Sequence, residues 1–245
     1  VGFSASRSEL WIYFRQVAEA QNTILSASSL DGVHWTPPIS VIAVPNHELV
    51  SPAVVRGAPH AVWQMWSVNS GALGCRALTT SVERRTSLDG RLWTGPQRVG
   101  LQQPGFNIWH IEVQWLPSRG EYWALYNAYP RGSSCVTPRV YLATSTDGVT
   151  WTTFPSPVLS HGVIDEFRDV VYRSTFEYDA GSETITFWFS GSKYNGTTYA
   201  WHMATQTRRV ADLLLQVQSP QPAAVARPWV PGRQLPPPEP ADTLP

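Results

Sequence analysis

Ser29-Leu30-Asp31-Gly32-Val33-His34-Trp35-Thr36 is the first of three copies of one phrase. It returns as Ser87-Leu88-Asp89-Gly90-Arg91-Leu92-Trp93-Thr94 and as Ser145-Thr146-Asp147-Gly148-Val149-Thr150-Trp151-Thr152. The aspartates stand at 31, 89 and 147, so both spacings are 58 residues. A single Asp-Gly is a weak hairpin signal, whereas three copies of Ser-x-Asp-Gly-x-x-Trp-Thr at one period mark an internal repeat. Asp-Gly supplies the positive φ angles of a two-residue type I′ turn, and the Ser and Asp side chains can bond nearby amides. The Trp opens the next strand and can cap the space between neighbouring repeats. These residues locate the repeats rather than the chemistry.

Working outward, each copy is preceded by the same order of strand-like runs. An aromatic run comes first, as Leu10-Trp11-Ile12-Tyr13-Phe14, Ala61-Val62-Trp63-Gln64-Met65-Trp66 and Glu121-Tyr122-Trp123-Ala124-Leu125-Tyr126. A second run leads into the turn, as Thr23 to Ser28, Arg76 to Thr80 and Arg139 to Thr144. Another run precedes the aromatic one, as Ser51-Pro52-Ala53-Val54-Val55 and His110-Ile111-Glu112-Val113-Gln114-Trp115. Runs of this length, rich in β-branched and aromatic residues, read as strands. Four strands in about sixty residues match one propeller blade. A fourth repeat runs through Phe167 to Tyr172, Thr184 to Phe189 and Tyr199 to Thr205, with Gln206-Thr207-Arg208-Arg209-Val210 where the turn stood. The expected fold is therefore all-β, a propeller over residues 1–218 with four repeats visible. A Pro-rich extended tail follows over 219–245, and residues 210–217 read as a short helix or a closing strand.

Composition narrows the function. The 245 residues carry 18 basic and 18 acidic side chains, a net charge of zero, which argues against nucleic acid as a partner. No apolar run is long enough to cross a membrane. The 12 tryptophans suit a propeller core, and exposed ones can stack on sugar rings. Cys75 and Cys135 lie 60 residues apart, about one repeat. That places them on adjacent blades and within reach of a bridge, which would fit a secreted or periplasmic protein. Two separate free thiols remain the alternative.

Phosphate loops, nucleophile elbows and zinc-helix motifs are absent from the sequence, and no cofactor or metal is expected. What remains is carboxylates at the start of the innermost strands, which in a propeller surround one axis. His47-Glu48 precedes Ser51, Trp109-His110-Ile111-Glu112 opens the third repeat, and Asp165-Glu166-Phe167-Arg168-Asp169 opens the fourth, with Arg173 beyond. Charged groups among bulky apolar residues are expected to be paired or functional. The plainer alternative is a structural ion pair of Glu112 or Asp169 with Arg168.

The turns that follow Ala-Ser-Ser or Ala-Thr-Ser, together with Ser51-Pro52-Ala53-Val54-Val55, resemble the five-bladed β-propeller glycosidases, glycoside hydrolase family 43 and its relatives. The resemblance covers roughly residues 1–210. It implies hydrolysis of a glycosidic bond by paired carboxylates, one protonated to assist the leaving group and one ionised. By position, Glu112 is similar to the residue that tunes the acid, and Glu166 or Asp169 stands where the acid belongs. Trp109, His110, Arg168, Arg173 and Glu48 would then contact the sugar. The family's base opens the first blade, ahead of Val1, so the resemblance implies a truncated member. A monomer with a carbohydrate substrate is expected. A carbohydrate-binding or structural propeller without catalysis is the alternative, because fold does not settle function.

Overall fold

The computed structural model describes residues 2–4, 9–18, 21–56, 61–133, 135, 138–162 and 164–219. Within them the chain forms consecutive antiparallel sheets, each built from neighbouring strands. The first holds β1 (Gly2–Ser4), β2 (Glu9–Ala18), β3 (Gln21–Ser29) and β4 (Ile39–Pro45). The second holds β5 (Val50–Arg56), β6 (Trp63–Asn69), β7 (Ser81–Ser87) and β8 (Gln97–Arg98). The third holds β9 (Phe106–Leu116), β10 (Glu121–Pro130), β11 (Arg139–Ser145) and β12 (Thr152–Thr153). The fourth has three strands, β13 (Val170–Asp179), β14 (Thr184–Tyr194) and β15 (Tyr199–Arg209), and ends in the helix α1 (Val210–Gln218). The leading strands of successive sheets, β1, β5, β9 and β13, lie against one another in that order. This is the blade arrangement that the 58-residue period foretells. The expected tail lies outside the described residues from 220 onward.

Alternation along the strands sends one set of apolar side chains to each side of a sheet. The first and second sheets bury Ile24, Leu49 and Met65 between them. The second and third bury Trp66, Val68, Ile111, Val113, Tyr122 and Tyr126. The third and fourth bury Leu116, Trp123, Leu125, Phe176 and Phe187. Rings of this size contribute roughly 2–3 kcal/mol each when fully buried. The helix α1 takes the place of an outer strand in the fourth sheet. Val210, Leu213 and Val217 share its buried stripe and pack beside Phe154, Val158 and Leu159 of the segment that follows β12.

Three details of the sequence reading change. The repeated phrase is not a two-residue type I′ hairpin. Among its residues only the glycine takes a positive φ, +76° at Gly32, +74° at Gly90 and +71° at Gly148. The aspartate instead caps a wider loop: Asp147 Oδ1 accepts the amides of Val149 and Thr150 at 2.8 and 2.7 Å, and Ser145 Oγ accepts that of Gly148 at 2.8 Å. The same bonds recur at Asp31 and Asp89. Second, residues 76–80 do not form a strand: Gly74–Arg76 is a 3-10 turn and the strand begins at Ser81. Third, Asp165–Phe167 is also a 3-10 turn, so β13 starts at Val170 rather than Phe167, while β15 continues through Arg209.

The phrase also joins the sheets. Tyr13 of β2 donates its hydroxyl to the Gly90 carbonyl at 2.8 Å and meets Trp93 edge-on. Trp66 of β6 does the same one repeat later, donating Nε1–H to the Gly148 carbonyl at 2.8 Å and meeting Trp151 edge-on. The second and third turns thus dock on the aromatic strand of the preceding sheet. Cys75 and Cys135 form a disulfide, with 5.3 Å between their Cα atoms, linking the β6–β7 and β10–β11 connections of adjacent sheets.

Candidate functional site at the leading strands

The three leading strands β5, β9 and β13 each break register once. In β5, Ser51 and Pro52 together oppose Ser67. In β9, Trp109 is the extra residue between the pairs His110–Asn127 and Ile108–Ala128. In β13, Tyr172 and Arg173 together oppose Ser190. A bulge re-aims side chains out of strict alternation, and these three aim theirs at one another. His110 Nδ1 is hydrogen-bonded to Ser51 Oγ. Its Nε2 is 2.6 Å from the Tyr172 hydroxyl, which also accepts Trp109 Nε1–H at 3.2 Å. One serine, one histidine and one tyrosine from three sheets therefore form a single chain of hydrogen bonds.

His110 is buried, and Ser51 and Tyr172 are partly open. Burial, reinforced by the positive charges of Arg173 and Arg15, holds the His110 imidazole well below its usual range, so it is neutral at pH 7. Ser51 sits at φ +55°, a left-handed conformation that a non-glycine residue adopts at a cost. The ring of His47 lies 6.3 Å from that of Trp109, and Trp201 packs 5.7 Å from Tyr172, so aromatic rings extend the cluster on both sides. Burial also lowers the pKa of His47, again with help from Arg15.

Glu112 lies two residues beyond His110 on β9. Ile111 and Val113 face the second sheet, whereas Leu116 faces the fourth and Gln114 Nε2 donates to the Phe176 carbonyl of β13. Regular alternation from His110 onward puts Glu112 on that same fourth-sheet side. Burial pushes its carboxyl up to about 7, so at neutral pH about half of the molecules carry it protonated.

Asp169 lies between the 3-10 turn and β13; its Oδ2 accepts the Tyr194 amide at 2.8 Å and lies 3.9 Å from Arg168. Arg168 also reaches Asp165 at 3.6 Å, and Asp165 pairs with Lys193. Glu166 is exposed on the same turn. Glu48 is in the β4–β5 connection, and its charge supports that of Arg85, which is buried with Glu83 at 3.3 Å. Arg173 is exposed within the β13 bulge. The structure thus brings Trp109 and His110 together with Ser51 and Tyr172, and gathers Arg168, Asp169 and Asp165 in a charged cluster ahead of β13. Ser51 and Tyr172 are the functional candidates that the residue pattern did not single out. One signal existed, since a proline inside a leading strand marks a bulge.

No protein-family model matches this chain, and no curated protein resembles it in sequence. Solved structures do resemble it. An N-acetylgalactosamine deacetylase from F. plautii, solved in complex with blood group B trisaccharide, is 23% identical, with a TM-score of 0.79 over 88% of this chain and 72% of that one. A sucrose-6-phosphate hydrolase from Lactobacillus gasseri is 12% identical, with a TM-score of 0.59 over 82% of this chain and 43% of that one. An α-L-arabinanase from Penicillium chrysogenum, complexed with arabinobiose, is 12% identical, with a TM-score of 0.50 over 80% of this chain and 56% of that one. At these identities the likeness is one of fold, and this chain spans about half the length of the last two.

Proposed function

We propose that this chain is the propeller of a carbohydrate-acting hydrolase of the glycosidase type, related to family 43, in which Glu112, rather than tuning the acid as the resemblance implies, itself supplies the proton to the departing sugar oxygen. The observation that carries the reading is the Glu112 carboxyl itself, held to about 7 by burial on a leading strand beside His110. A protonated carboxyl at neutral pH is what leaving-group departure requires, and a second, ionised carboxylate must then activate water or attack carbon. Asp169 is the better candidate for that second role than the exposed Glu166, because its carboxylate is already oriented by the Tyr194 amide. Arg173, exposed within the β13 bulge, supplies polar contact to the ring.

Closure by a fifth blade belongs to the same proposal. Trp188, Trp201 and Met203 of the fourth sheet and Phe14, Val17 and Ile39 of the first are exposed. A further sheet between them would cover both sets, as the existing sheets cover each other. The Cys75–Cys135 bridge supports an oxidising compartment, secreted or periplasmic.

Release of reducing sugar from a panel of plant and bacterial polysaccharides tests the reading. Activity on one of them, cut by two or more orders of magnitude in Glu112→Gln, is the expected result. Binding without catalysis is the second reading. It is favoured by the engagement of Asp169 with Arg168 and the Tyr194 amide. Retained glycan binding with no turnover in the unaltered protein would establish it.

A further inference from the structure

We propose that Ser51 is a nucleophile, with His110 as its base and Tyr172 as the group that orients the base, giving this protein an acyl-hydrolase activity on an ester- or amide-linked acyl group. The proposal goes beyond glycosidic cleavage and does not depend on Glu112. A hydroxyl in hydrogen-bond contact with an imidazole that is itself held by a third group is the common signature of an activated nucleophile. Here the three members come from three different sheets, and each reaches the others only because its strand carries a bulge. The strained φ of Ser51 and its partial exposure, over a buried base, add to the pattern.

The reaction uses one of the two neutral tautomers of His110. The Tyr172 oxygen has two acceptor positions. Trp109, whose indole can only donate, takes one. In the tautomer the reaction uses, His110 Nε2–H donates into the other and Nδ1 keeps the lone pair that faces Ser51 Oγ; in the alternative the Tyr172 O–H donates to Nε2 and Nδ1–H to Ser51. The chemistry follows. Ser51 Oγ bonds to the acyl carbonyl carbon, the C=O π pair moves to oxygen, and the Ser51 proton passes to Nδ1. The tetrahedral anion collapses, breaking the bond to the alcohol or amine, which leaves with the proton from Nδ1. Water then attacks the acyl-serine, gives its proton to Nδ1, and collapse releases the carboxylic acid as Ser51 regains its proton. The net reaction consumes one water per acyl group. Arg15 and Arg173 disfavour an isolated imidazolium at His110. In the tetrahedral state that imidazolium faces an oxyanion, and the same cationic surroundings favour the oxyanion.

The disulfide-bonded protein is treated with a fluorophosphonate probe and, separately, with p-nitrophenyl acetate. One covalent label per chain, mapped to Ser51 by peptide mass spectrometry, and a burst of about one equivalent of p-nitrophenol are expected. Ser51→Gly, which suits the left-handed backbone, should lose both while keeping its melting temperature. His110→Gln should slow labelling at least a hundredfold. Tyr172→Phe should change the imidazole ¹⁵N shifts of His110, showing that Nε2 no longer carries the proton uniquely. A folded protein that takes no label, or a label that persists in Ser51→Gly, would overturn the proposal. Should Ser51→Gly fail to fold, the mapped position of the label on the unaltered protein decides the matter.

Discussion

Trp66 Nε1–H donates to the carbonyl of Gly148 at 2.8 Å, and the same indole occupies the space where a Gly148 side chain would be. A Cβ there would stand 2.6 Å from the Trp66 ring, and one at Gly90 would stand 2.5 Å from the Tyr13 hydroxyl. The repeated glycine therefore serves two needs at once, a left-handed backbone and close approach to the preceding sheet.

Gly148→Ala should lower stability by roughly 2–4 kcal/mol, since strain and overpacking add. Gly105 is the control. Its φ of +80° is similar, but nothing lies within 4 Å of its would-be Cβ, so Gly105→Ala should cost only about 1 kcal/mol. Urea denaturation of both variants measures the difference.

Glu112 makes stability depend on pH. Its folded pKa of about 7 lies above the ordinary value of 4.5, so the folded state holds the proton more tightly than the unfolded chain. The associated stability is fully present below about pH 4.5 and is lost as pH rises through about 7, with a magnitude on the order of 3 kcal/mol. Glu112→Gln should flatten that part of the profile. Unfolding midpoints of both proteins between pH 4 and 8 report it.

Reduction of Cys75–Cys135 should destabilise the chain. The bridge closes a loop with a sequence separation of 60 residues, which corresponds to about 4 kcal/mol in the loop-entropy account. A melting temperature lowered by dithiothreitol, and by the same amount in Cys75→Ser without it, is the expected outcome.

The Glu83–Arg85 pair is buried, with Asn69 on one carboxylate oxygen and Ser67 on the guanidinium. Glu83→Ala leaves Arg85 without that partner and should cost about 3–5 kcal/mol. Glu83→Met with Arg85→Met should cost far less, because no buried charge then remains. A double-mutant cycle by chemical denaturation separates the two.

The repeats were legible because one short phrase recurs at a fixed distance and because the aromatic runs fall at the same place before it. The loop geometry was less so: Asp-Gly fits several turns, and only the side-chain bonds from Asp147 to Val149 and Thr150 distinguish the capped loop from a hairpin. Trp109, His110 and Glu112 stood out as polar or amphipathic residues opening an inner strand. Ser51 and Tyr172 did not, because their meeting depends on three register shifts. A shift moves every later side chain without altering composition. Asp169 and Arg168 were expected on a regular strand, but residues 165–167 coil first and leave both in the approach to it.

The docking of the second and third turns on the sheets before them also sets an order for synthesis. The partner of Tyr13 is the Gly90 carbonyl, 77 residues later, and that of Trp66 is the Gly148 carbonyl, 82 residues later. At about 5–20 residues per second, a ribosome delivers each such partner roughly 4–16 seconds after the ring it covers. Through that interval the newest sheet presents bare indole and phenol rings to the cell. A chaperone that recognises flat aromatic surface would find one such patch at a time, moving along the nascent chain in steps of one repeat.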